Sequence, residues 1–135
     1  MSELYVDTSA VLRPILESGT SPEIESKFRS ATVLVTSRLS MVEAARAVLR
    51  FRQTGQLNET KLADAARQID IFWMRCEIFE ISPEVCRIAS QVAPTRLVRT
   101  LDAIHLATFV LVRQRVADLE FVTADRRLLA AAEGY

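Results

Sequence analysis

The run 101–112, Leu-Asp-Ala-Ile-His-Leu-Ala-Thr-Phe-Val-Leu-Val, constrains the fold more than any other stretch. Wound as a helix, it points apolar side chains in nearly every direction, so protein must enclose it. Four short apolar or β-branched runs offer the layer against which it can pack. Leu4-Tyr5-Val6 stops abruptly at Asp7-Thr8-Ser9, residues 31–35 read Ala-Thr-Val-Leu-Val, and residues 77–81 and 120–123 have the same character. Runs of this length and composition predict buried strands.

Helical segments alternate with those strands. One begins near Thr8, with Pro14 tolerated in its first turn. After the loop Gly19-Thr20-Ser21-Pro22 comes a short helix over 23–30, and Thr36-Ser37 opens a helix over 37–53 that stops at Gly55. A second long helix over 58–75 places Leu62, Ala66, Ile69 and Trp73 on one face, which makes the pair an αα-hairpin. Residues 83–92 form another helix, Pro94 breaks the chain, and residues 125–133 form the last one. Phe72, Trp73 and Phe79 fall on apolar faces and read as core or dimer surface. The alternation predicts one α/β domain over 1–135, with a mostly parallel sheet.

Half of the 135 residues are hydrophobic, which argues against disorder. Seventeen basic and seventeen acidic side chains cancel, so the chain lacks the net charge of a constitutive nucleic-acid binder, although a local patch can still act. Arginine supplies fifteen of the basic residues, the exceptions being Lys27 and Lys61. Cys76 and Cys86 lack metal-ligand spacing and there is one histidine, which argues against zinc. Neither a secretory signal nor a membrane-spanning run is visible, so the cytoplasm is the expected location.

Ligands of open α/β sheets gather beyond the carboxyl ends of the strands. Asp7 directly follows the first strand and Asp125 lies two residues past Thr123 of the last. Glu43 sits in the second turn of the helix leaving the second strand, and Asp102 in the first turn of the 101–112 helix. Each has a local explanation. Asp7 and Asp125 can cap the helices they precede, and Glu43 can close a capping box with Ser40 or pair with Arg46 or Arg50. Thr100 can cap the helix in which Asp102 faces the positive end of the dipole. The alternative is convergence. Two carboxylates about 4 Å apart repel by about 4 kcal/mol at an effective dielectric of 20, and a hard dication such as Mg²⁺ or Mn²⁺ turns that repulsion into attraction.

Val-Asp-Thr-Ser-Ala at 6–10, Ser-Arg-Leu-Ser-Met-Val-Glu at 37–43, Arg-Thr-Leu-Asp-Ala-Ile-His-Leu-Ala at 99–107 and Phe-Val-Thr-Ala-Asp-Arg-Arg-Leu at 121–128 resemble PIN-domain proteins. Within that superfamily the chain is most similar to the VapC-type toxins of bacterial toxin–antitoxin modules. The resemblance implies a three-layer PIN-like domain with four or five short strands flanked by helices. It implies a Mg²⁺- or Mn²⁺-dependent endoribonuclease acting on tRNA or rRNA and leaving a 5′-phosphate and a 3′-hydroxyl. Its catalytic and metal-binding acids would be Asp7, Glu43, Asp102 and Asp125, with Thr8, Ser9 and Thr123 orienting carboxylates or water. A homodimer and a cognate VapB-type antitoxin are implied as partners.

Other residues carry weaker expectations. His105, one turn beyond Asp102, reads as a packed, hydrogen-bonded histidine rather than a general base. Arg99 and Arg96 are candidate substrate-phosphate ligands whose alternative is a solvated or Asp-paired surface role, and Arg126-Arg127 are candidates for steering RNA. Two other readings stay open at this level. One is a catalytically inactive PIN-like module that binds RNA or protein. The other is a phospho-accepting signalling domain, which would want an acidic pair after the first strand, where Thr8 follows Asp7, and a Lys near the last strand, where none occurs.

Overall fold

The computed structural model describes residues 2–17 and 19–135. In chain order the elements are β1 (Ser2–Val6), α1 (Thr8–Leu16), α2 (Pro22–Ser30), β2 (Ala31–Ser37), α3 (Leu39–Thr54), α4 (Glu59–Met74), β3 (Cys76–Phe79), α5 (Pro83–Ala89), α6 (Thr100–Arg113), β4 (Glu120–Val122) and α7 (Arg126–Ala132). The four strands pair in parallel in the order β3-β2-β1-β4. The chain builds outward from β1 to β3 and then returns to lay β4 on the other side of β1. That reversal opens a crevice beyond the carboxyl ends of β1 and β4, the place where such sheets bind ligands.

Successive strand residues face opposite ways, and this alternation makes the three layers. Leu4 and Val6 of β1, Leu34 of β2 and Val122 of β4 pack with Ala10 and Val11 of α1, Val48 of α3, and Leu62, Ile69 and Trp73 of α4. Tyr5, Val35 and Phe121 turn to the opposite face, against Leu106, Phe109 and Val112 of α6 and Leu128, Ala131 and Ala132 of α7. α6 is covered as its sequence requires, by the sheet, α5 and α7. Its exposed margin is Thr100 and Leu101, at the open N-terminal turn.

Several boundaries differ from the sequence expectation, each for an identifiable reason. Thr36 and Ser37 end β2, and α3 begins at Leu39, whose N–H donates to Ser37 Oγ at 3.1 Å, so Ser37 serves both elements. Thr36 also looks like a capping group in sequence, but its Oγ1 donates to Val6 O at 2.7 Å across the sheet, which suits a strand. Pro14 lies inside α1 and not in its first turn, because Asp7 caps the helix well upstream; a helix ending at Leu16 forfeits one hydrogen bond there. Thr100 is the first residue of α6, and the capping position belongs to Arg99, which makes no side-chain capping bond. β3 runs Cys76–Phe79, not 77–81, and α5 closes at Ala89, before residue 92.

The αα-hairpin of α3 and α4 turns at Gly55, whose φ of 68° is left-handed and whose missing Cβ would meet only open space. Gly55→Ala therefore isolates the backbone cost. It is expected to lower stability by about 1 kcal/mol in urea melts, and an unchanged midpoint would refute a conformational role for this glycine. Among the described residues no helix is long and apolar enough to cross a membrane.

Candidate active site

Asp7 is the most constrained of the acids. Its backbone N–H donates to Val122 O at 3.1 Å, which ties the end of β1 to the end of β4. Its side chain caps α1: Oδ1 accepts from Ala10 N at 3.1 Å and Ser9 Oγ at 2.8 Å, while Oδ2 accepts from Thr123 Oγ1 at 2.8 Å. Only 4% of the residue is exposed. Burial pushes its carboxyl pKa up, and the bonds from Ser9, Thr123 and Ala10 offset part of that rise. Capping and a place in the site are thus compatible roles for one carboxylate.

Glu43 departs from its local alternatives. Ser40, its partner in the expected capping box, bonds Thr36 at 2.7 Å instead. Glu43 Oε1 accepts from Thr8 Oγ1 at 2.6 Å and lies 2.6 Å from His105 Nε2, so its partners come from α1 and α6 and not from Arg46 or Arg50. Burial works against its ionisation, yet the bonds from His105 and Thr8 outweigh that cost and hold the carboxyl below the usual range. Asp102, in the first turn of α6, accepts from Arg99 Nε at 3.2 Å. Asp125 caps α7 through Arg127 N at 2.9 Å and Leu128 N at 3.3 Å.

Ser9 and Thr123 brace these acids. Their hydroxyls lie 3.2 Å apart, Ser9 Oγ accepts from Ala124 N at 3.0 Å, and Thr123 Oγ1 accepts from Asp125 N at 3.0 Å. The loop after β4 is thereby fastened to the start of α1. Asp7, Glu43, Asp102 and Asp125 all line one cleft of about 200 Å³, together with Thr8, Ser9, Arg50 and His105. A second cavity of about 850 Å³ shares Ser9, Arg99, Asp102 and Asp125 with it and adds Arg13, Leu97, Arg126 and Arg127. Arg96 is exposed and lines neither cavity.

His105 is 1% exposed and hydrogen-bonded at both nitrogens, a packed histidine as expected. Three lining or supporting residues escaped the sequence reading. Arg13 sits on α1 beside the larger cavity. Arg50, read only as a partner for Glu43, lies two helical turns from it and faces the same cleft. Tyr5 supports His105 from β1. A tyrosine in an otherwise aliphatic buried strand was the available signal, because its hydroxyl must find a partner.

The donor set suits a hard dication: four carboxylates on four segments, with hydroxyls between them and no thiol in the cleft. Among the described residues no three potential ligands are already gathered as a cage. Each carboxylate is instead satisfied by donors of the protein: Asp7 by Ser9 and Thr123, Glu43 by His105, Asp102 by Arg99, Asp125 by the start of α7.

Comparison with known proteins bears on the family and the fold. The family model of the PIN domain matches residues 4–134. Ribonuclease VapC47 of Mycobacterium tuberculosis is 30% identical over 132 residues, covering 94% of this chain and 88% of its own. FitAcB from Neisseria gonorrhoeae superposes with a TM-score of 0.70 at 18% identity, over 96% of this chain and 93% of that one. Mycobacterium tuberculosis VapC20, described as a sarcin-ricin loop cleaving toxin, superposes with a TM-score of 0.65 at 15% identity, over 96% and 95% of the two chains. With the four-stranded parallel sheet and the acid-lined crevice in place, the chain belongs to the PIN domain family, and within it to the VapC-type proteins.

Proposed function

We propose that this protein is a metal-dependent endoribonuclease, the toxin of a type II toxin–antitoxin pair acting on tRNA or rRNA. The observation that carries the reading is the arrival of Asp7, Glu43, Asp102 and Asp125, from four separate segments, in one cleft at the β1/β4 crevice. Its membership of the VapC-type proteins supports the choice of RNA as substrate.

Asp7, Asp102 and Asp125 would hold Mg²⁺ or Mn²⁺, and Glu43 would complete the ligand set or accept a proton from the attacking water. The ion supplies charge neutralisation at the phosphodiester and makes water more acidic. The chain's own residues do the positioning. Ser9 and Thr123 keep both oxygens of Asp7 occupied at fixed angles, so this carboxylate enters the reaction already oriented. Water attacking phosphorus in line would break the bond to the 3′-oxygen, which leaves protonated as the 3′-hydroxyl of the upstream fragment, while the phosphate stays on the 5′-oxygen of the downstream fragment, as the family resemblance implies.

Arg99, Arg13, Arg126 and Arg127 surround the larger cavity and are suited to the RNA backbone. Arg96 would act on substrate only outside both cavities. Arg127→Ala is expected to weaken RNA binding about equally across sequences and to reduce the slope of log affinity against log salt by about 0.7–1. A slope identical to wild type in filter binding would remove Arg127 from the RNA path.

Cation binding has its own readout. At a hundredfold excess over Kd, Mn²⁺ should stabilise the fold by about 2.7 kcal/mol, a rise of several degrees in Tm that chelator reverses. A melt indifferent to cation and chelator would reduce the acids to their capping roles. A homodimer and a VapB-type antitoxin complete the proposal, with sedimentation of the chain alone and with its antitoxin as the check. Under the alternative, an inactive RNA- or protein-binding module, wild-type protein freed of antitoxin would bind RNA in Mn²⁺ without cutting it.

A further inference from the structure

His105 is the one histidine of the chain, and both of its ring nitrogens are committed inside the protein. Nε2 lies 2.6 Å from Glu43 Oε1 and 3.3 Å from Thr8 Oγ1. Nδ1 lies 2.8 Å from the hydroxyl of Tyr5, which is fully buried on β1 two residues before Asp7. Tyr5 is itself immobilised, stacked on Phe121 at 5.4 Å and edge-on to Phe109 at 6.2 Å. A carboxylate only accepts, so Nε2 must carry a hydrogen; a neutral ring then accepts at Nδ1, which makes the Tyr5 hydroxyl the donor.

We propose that Tyr5 and His105 are positioning residues for Glu43: Tyr5 holds the imidazole in its Nε2–H tautomer, and the ring aims one oxygen of Glu43 so that the other is presented to the cleft. Both the His105 and the Thr8 bonds fall on Oε1, which leaves Oε2 as the oxygen available to an ion or a water. The three residues reach this line from β1, α6 and α3, so the relay couples the centre of the sheet to the rim of the site. Partners that fix the orientation of a ligating carboxylate typically change metal affinity or activity 10- to 100-fold when removed. This role rests on the nuclease reading, whereas the tautomer itself does not.

The single histidine makes the test direct. In metal-free protein carrying ¹⁵N-labelled histidine, a long-range proton–nitrogen correlation spectrum at mildly alkaline pH should show a protonated Nε2 and an unprotonated Nδ1. Tyr5→Phe, which deletes one oxygen, should release that preference. Mn²⁺ affinity by titration calorimetry should fall about 10- to 100-fold in Tyr5→Phe and His105→Leu, with kcat reduced and KM for RNA little changed. His105→Gln, whose amide N–H can reach the position of Nε2, should recover most of the loss, which repair of packing alone would not do. A proton on Nδ1 in the wild type overturns the relay. So does a Tyr5→Phe protein with wild-type ring spectrum and Mn²⁺ affinity. Failure of the wild type to bind Mn²⁺ or cut RNA would sink the nuclease reading instead, and the ring spectrum would still decide the tautomer.

Discussion

Asp7→Asn is expected to lower RNA cleavage about 10³-fold in a protein that folds as well as the wild type. Asparagine is the discriminating choice because Asp7 has two jobs. It caps α1 by accepting from Ala10 N at 3.1 Å, and asparagine caps a helix about as well as aspartate. The substitution therefore keeps the cap and removes the charge. Removing that charge from a site only 4% exposed also relieves its burial cost, so the metal-free variant should melt no lower than wild type. Mn²⁺ should no longer raise its Tm. Asp7→Ala should add the loss of the cap, about 1 kcal/mol, to the same loss of activity. Measured side by side, cleavage of total RNA and thermal melts separate the two roles; an asparagine variant with full activity would end the assignment of Asp7 to the metal.

Phe109→Ala is expected to be the most damaging single change to the fold. Phe109 is 1% exposed on α6, edge-on to Phe121 at 5.1 Å and to Tyr5 at 6.2 Å, with the Arg113 guanidinium 5.7 Å from its ring centre. Truncation removes its buried area and leaves a cavity that the sheet beneath cannot collapse to fill. The cost is about 3–5 kcal/mol, a large part of the stability of a typical domain. For a chain of this size that is a drop in Tm on the order of 10–20 °C. The loss should reach the site as well, because α6 carries both Asp102 and His105 and Phe109 seats it on the sheet. Mn²⁺ should still raise the Tm of whatever fraction folds. A Phe109→Ala protein melting within 3 °C of wild type would show that α6 is held by other contacts.

How much of this was legible in the sequence differs from residue to residue. Asp7 and Asp125 were readable both as caps and as candidates for the site, because capping is a contact over two or three residues and the end of an apolar strand marks the sheet edge. Gly55 was readable as the end of α3 for the same local reason. Ser37 was readable as the group that opens α3, but Thr36 misled, since a hydroxyl after an apolar run looks the same whether it caps a helix or bonds a neighbouring strand. Glu43 was readable as a candidate for the site, but its partners were not. Ser40, Arg46 and Arg50 are near it in sequence, but the partners it takes are 35 and 62 residues away.

The amino-acid sequence alone therefore determined the layers and the address of the acids. Both follow from short-range physics, the two-residue alternation that sends Tyr5 to one face and Leu4 and Val6 to the other, and the polar breaks that end each strand. Tertiary structure decided the contacts inside the cleft. Pairing β1 between β2 and β4 brings Thr123 to Asp7 across 116 residues and Tyr5 to His105 across 100. Strand order is a property of the whole packed core, expressed in no local window, and it is what sets four separately explicable carboxylates around one cleft.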